Sequence, residues 1–113
     1  MNENGAHDPE AVAACLHEQA STDAVRISLH AHQEMVEEDI SYEEVCEVLL
    51  EARVVENYPE HKRGPCCLIC RRTSKERYVH VVCTTSLEVA VIITVYEPTD
   101  PKWVSPFERG KEQ

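Results

Sequence analysis

The run RYVHVVCTTSLEVAVIITVY, residues 77–96, constrains the fold more than any other stretch. Val, Ile, Thr and Tyr dominate it, and such side chains suit a pleated surface better than a helix, so the run predicts strands. The polar residues 84–88 divide it into two strand-length pieces, 78–83 and 89–96, which read as a hairpin. Side chains alternate across a strand, so Val89, Val91, Ile93 and Val95 are expected on one face and Ala90, Ile92, Thr94 and Tyr96 on the other. In the first strand Val79, Val81 and Cys83 oppose Tyr78, His80 and Val82. One side of this hairpin calls for a cover of helices. On the other, His80, Thr94 and Tyr96 are expected to meet.

The remaining elements fit around that hairpin. Asp8-Pro9 opens a helix expected over about residues 9–20, with only Val12, Leu16 and Cys15 apolar on its stripe; this is narrow enough for a loosely docked helix or a partner surface. Ser28 can cap a second helix from Leu29 to near Asp39, with Met35 and Val36 turned inward. Ser41-Tyr42-Glu43-Glu44 is a capping box for a third, whose Val45, Val48, Leu49 and Ala52 form a stripe suited to lying on a sheet. Residues 54–58 and 66–72 supply two more strands around a turn-rich loop, 59–65. The sum is an α+β fold with N-terminal helices on one face of a four-stranded, mainly antiparallel sheet. After Tyr96, prolines at 98, 101 and 106 exclude helix or central strand, leaving an extended arm pinned to the domain or to another subunit by Trp103 and Phe107. The organisation is a helical extension over 1–24, the α+β domain over 25–97, and a Pro-rich arm over 98–113.

At 113 residues the chain is one domain. No apolar run approaches the roughly 20 residues of a membrane helix, and MNENGAHDPE is acidic where a secretory signal is basic, so the expectation is a cytoplasmic protein making no membrane contact. In that compartment the six cysteines are expected to be reduced. The net charge of −10 disfavours nucleic acid, but it is unevenly spread. Residues 1–60 hold fifteen Asp/Glu against two Arg, whereas residues 61–113 hold nine Lys/Arg against six Asp/Glu. Lys62, Arg63, Arg71, Arg72, Lys75 and Arg77 face only Glu76 in sequence, which allows either a local basic patch or solvated loop charges.

Three groups carry possible chemistry. Cys66-Cys67-x-x-Cys70 with Cys83 has the count of a zinc site, yet a strand would turn Cys67 and Cys70 to opposite faces, so buried thiols are expected and no metal or cofactor. His30 and His32 lie about 200° apart on a helix and cannot share a metal there; His30 is the one expected to face the sheet. His80, between two valines in the central hairpin, is either a structural histidine or a rigidly held acid-base group. With Arg77 and Tyr96 beside it, such a group could cleave RNA: a base takes the 2′-hydroxyl proton, the arginine stabilises the pentavalent phosphate, and an acid protonates the leaving oxygen.

Several motifs together resemble the bacterial and archaeal family called domain of unknown function 4258. They are Ser28-x-His30-Ala31 with Met35 and Ile40-Ser41, Val55-Glu56-x-Tyr58-Pro59, Pro65-x-Cys67-Leu68-Ile69, His80-Val81-Val82-Cys83, and Ile92-Ile93-Thr94-Val95-Tyr96-Glu97-Pro98. The ending Pro101-Lys102-Trp103-Val104-x-Pro106 with Arg109-Gly110 is similar to one branch of it. The resemblance implies a RelE-like fold and an MqsR/RelE-like endoribonuclease, an mRNA interferase toxin whose partners are RNA and a zinc-finger antitoxin; a homodimer is a separate expectation. It carries His30, His80, Tyr96 and Arg77 as site residues, His80 and His30 being the proton-transfer candidates. Glu34, Glu38 and Asp39 depart from the pattern, where arginines and a glycine are expected, and remove positive charge from the second helix. A non-catalytic interaction module, binding a protein through its acidic helices or its Trp103 arm, is the alternative.

Overall fold

The computed structural model describes residues 7–110. In chain order it contains α1 (Pro9–Ser21), β1 (Val25–Ile27), α2 (Leu29–Glu38), α3 (Tyr42–Leu50), β2 (Arg53–Tyr58), β3 (Cys66–Arg72), β4 (Tyr78–Thr84), β5 (Ala90–Tyr96), β6 (Trp103–Ser105) and β7 (Glu108–Arg109). The fold is α+β, but its sheet has five strands, not four, in the order β1-β5-β4-β3-β2. The added strand is β1, which pairs in parallel with β5, Val25 opposite Ala90 and Ile27 opposite Ile92. Three residues are too short to show a period of two, so only the tertiary pairing creates this strand.

All three helices contribute to one core. Asp8 caps α1 by accepting from the Glu10 amide at 3.0 Å. The stripe of α1, though narrow, is sealed: Val12 and Leu16 are buried, and the helix packs on α3. His17 Nδ1 donates to the Leu50 carbonyl at 2.7 Å, and Gln19 donates to the Leu87 carbonyl at 2.7 Å, tying α1 to α3 and to the β4–β5 turn. It is a docked element, not a loose one. Helix α2 lies against β5, and α3 lies across β3 and β4. Between helices and sheet sit Ala31, Met35, Val45, Val48, Leu49, Cys67, Ile69, Val79, Val81, Cys83, Ile92 and Val95.

Strict alternation fails in β5. Val82 pairs with Thr94 but Cys83 pairs with Ile92, so an extra residue is accommodated there. The bulge shifts the phase: Ala90 and Ile92 enter the core with Val95, while Ile93 is left exposed. Thr94 consequently does not meet His80. Its hydroxyl donates to Glu34 of α2, whose carboxylate also accepts from the Val95 amide at 2.8 Å.

The arm is more ordered than an extended tail. Strands β6 and β7 pair as a small antiparallel hairpin that follows the cis Asp100–Pro101 bond. Gly110 donates to the Lys102 carbonyl at 2.7 Å, and a Cβ at position 110 would stand 1.9 Å from the Pro101 carbonyl oxygen, so only glycine fits there. This hairpin lies on the side of the sheet that the helices leave open, and it belongs to the same chain.

Candidate functional site

His80 lies under that hairpin and is fully buried. It occupies a cross-strand row with Cys70 on β3 and Tyr96 on β5. Its Nε2 is 2.6 Å from the Pro106 carbonyl oxygen and its Nδ1 is 3.2 Å from the Tyr96 hydroxyl. A carbonyl only accepts, so Nε2 carries the proton and Nδ1 accepts from Tyr96. Trp103 stacks edge-on against the imidazole at 4.5 Å between centroids. Burial pushes the His80 pKa down, opposed by the Pro106 bond and by Glu56. Burial likewise pushes Tyr96 up. The pair is therefore a neutral imidazole bonded to a neutral phenol.

Cations fasten the hairpin in place. Arg109 grips Glu56 through two bonds, 2.5 and 2.8 Å, and lies over the Trp103 ring at 4.7 Å. Tyr58 donates to the same carboxylate. Arg53 sits over Phe107 at 4.0 Å, and Tyr78 meets Phe107 edge to face. The Arg109 bonds hold Glu56 below the usual carboxylate range.

Of the four residues singled out in the sequence, only His80 and Tyr96 come together. His30 stands on the outer side of α2, two-thirds exposed, with Glu34 at 3.3 Å. It is Ala31, not His30, that faces the sheet. Arg77 turns to the junction of α2 and α3. There it donates to both Glu44 oxygens (2.7 and 3.0 Å) and to the carbonyls of Glu38 (3.3 Å) and Asp39 (2.5 Å). Glu44 also accepts from Thr73 at 2.7 Å and from the Ser41 amide at 3.2 Å, completing the capping box. Arg77 bonding holds the Glu44 pKa at about 2. Sequence spacing identified the capping box but missed the second duty of Glu44, because its partner is thirty-three positions away.

Four of the six cations of the basic segment are neutralised internally, whereas Lys62 and Arg63, in the loop between β2 and β3, are exposed and enter no ion pair among the described residues. Arg71 pairs with Glu51 at 2.9 Å, Arg72 with Glu76 at 3.5 Å, and both Lys75 and Arg77 with Glu44. The four clustered cysteines are free and buried, with Cys67 and Cys83 paired across strands on the helical side. Burial pushes the Cys70 thiol up to about 12, so it is protonated and a poor nucleophile beside His80.

A groove of about 470 Å³ opens on the helical layer, lined by Ile27, His32, Met35, Val36, Asp39, Ile40 and Tyr42. It exists because Asp39 ends α2 in the left-handed conformation (φ 56°), where the Ile40 amide bonds back to Met35 at 2.8 Å and turns the chain sharply into α3. Val36, expected to turn inward, is instead 70% exposed. The Tyr42 hydroxyl donates to Asp23 at 2.8 Å and closes one end.

A search of the curated proteins and a search of the solved structures each returned no match. The family model described as domain of unknown function 4258 matches residues 27–97, from the end of β1 to just past β5, and so includes His80, Tyr96, the Glu44–Arg77 cluster and the groove. On that match, the chain belongs to the domain of unknown function 4258 family.

Proposed function

We propose that this protein is a protein-interaction module that receives its partner on the acidic helical layer. The observation that carries this reading is the disposition of charge. Arg71, Arg72, Lys75 and Arg77 are engaged by carboxylates of the same chain, whereas Glu37, Asp39 and Glu43 on the helical layer are exposed and enter no ion pair among the described residues. Such a surface repels phosphates and attracts cationic protein. The sealed His80, with both ring nitrogens occupied, agrees with a structural part. Light scattering of the protein mixed with the product of the adjacent reading frame tests the reading: a complex is expected, and two unchanged monomer masses would contradict it.

A RelE-like ribonuclease is the second reading, favoured by the His80–Tyr96 bond with Glu56 and Arg109 close by. It requires the C-terminal hairpin to leave the sheet before RNA can reach the imidazole. Incubation of unstructured RNA with the wild type and with Gly110→Ala, whose methyl group would clash with the Pro101 carbonyl and is expected to loosen the hairpin, separates the two. Cleavage by the variant that a further His80→Gln change abolishes would favour the nuclease.

A further inference from the structure

The groove between α2 and α3 has features that its own fold does not require. Its walls are apolar, from Ile27, Met35, Val36, Ile40 and Tyr42. Val36 (70%) and Tyr42 (37%) line it and are, with Leu29 (74%) on α2, three of the seven large apolar side chains left exposed among the described residues. Leu29, His32 and Val36 fall at i, i+3 and i+7, so they line one side of α2, and all three are exposed among the described residues. Patches of this kind on a small protein mark contact surfaces.

The charge around the groove is equally specific. The last turn of α2 holds no basic residue, and Glu37, Glu38 and Asp39 stand at the negative end of its dipole, an arrangement that destabilises the helix in isolation. Arg77 donates to the Glu38 and Asp39 carbonyls and attracts the Asp39 carboxylate without forming an ion pair with it, and Glu38 accepts the Glu97 amide at 2.8 Å. Asp39 lines the groove, Glu37 and Glu43 are exposed next to the lining residues Val36 and Tyr42, and none of the three enters an ion pair among the described residues; the nearest exposed arginines in sequence, Arg26 and Arg53, stand on β1 and β2.

Resting on the interaction-module reading, we infer that this groove binds a cationic amphipathic helix of a partner protein. One or two Leu- or Ile-sized side chains of that helix seat between Val36 and Tyr42, and its Lys or Arg residues meet Glu37, Asp39 and Glu43. Helix-in-groove recognition has this form: apolar anchors at helical spacing supply the burial, and charges at the rim set orientation and association rate.

A fluorescein-labelled leucine/lysine peptide of about 14 residues with helical amphipathic spacing is the probe, and its scrambled isomer of identical composition is the reference. Fluorescence anisotropy should show the amphipathic peptide binding the wild type more tightly than the isomer. Val36→Lys should weaken it by about tenfold or more, whereas Leu87→Lys, an equal change of charge at an exposed apolar site in the β4–β5 turn, should leave it within about twofold. Because Val36 is exposed, the variant keeps its fold, which thermal unfolding verifies. Equal binding of both peptides, or equal effects of the two substitutions, overturns the assignment. If a complex with the adjacent gene product still forms in light scattering, only the groove is refuted; if none forms, the module reading falls with it.

Discussion

The Nε2–H of His80 donates to the Pro106 carbonyl at 2.6 Å, so a histidine in the middle of the sheet holds down the C-terminal hairpin. Glu56, Arg109, Lys102 and Tyr96 surround it, and Trp103 covers it. Burial lowers its folded pKa below the usual 6.5, so the unfolded chain takes up the proton first. Stability from His80 is therefore complete above about pH 6.5 and declines as the pH falls through that value toward the folded pKa. Trp103 is the sole tryptophan, and its emission should shift to the red as the hairpin loosens over this range. In His80→Phe the change should be absent.

Glu44 is titrated in a lower window. Its folded pKa of about 2, against an ordinary 4.5, means that stability is complete above about pH 4.5 and is lost as the pH falls toward 2. Glu44→Ala leaves the guanidinium of Arg77 without its carboxylate and should cost about 3–5 kcal/mol in urea unfolding at neutral pH. The double variant with Arg77→Met should recover part of that loss. Additive losses would mean that the two groups act independently.

The hairpin depends on glycine at one place. Gly110→Ala drives a methyl group into the Pro101 carbonyl, so the two strands must separate or shift, at about 1–3 kcal/mol. Trp103 emission should redden while the far-ultraviolet dichroism of helices and sheet stays near that of the wild type. A cooperative loss of both signals would show that the hairpin is inseparable from the core.

Helix α1 contributes to the same unfolding transition as the sheet. Leu16→Ala removes a fully buried side chain and should cost about 2–5 kcal/mol, whereas Leu87→Ser at a half-exposed position should change stability by about 0.5 kcal/mol or less. Equal, small effects would indicate that α1 is detached in solution.

The hairpin of β4 and β5, the capped helices and the apolar stripe of α3 were legible because each rests on local signals: β-branched runs, Ser41 with Glu44, and helical spacing. What stayed hidden depends on distant pairing. Val25–Ile27 becomes a strand only because β5 lies beside it, and the bulge that sends Thr94 to Glu34 cannot be seen in a regular alternation. The site divided for the same reason. His80 and Tyr96 share a cross-strand row, as alternation foretold, but Arg77 at the end of the turn follows Glu44 to the helical layer, and α2 holds His30 there too. The pairing of the basic segment with α3 carboxylates was equally invisible, since neighbours in sequence are nearly all cations.

Light scattering of an equimolar mixture with the product of the adjacent reading frame, for wild type and Val36→Lys, tests the central claim most directly. The interaction-module account predicts a mass equal to the sum of the two chains for the wild type, and the groove assignment predicts separate species for the variant. Separate species in both samples would contradict it.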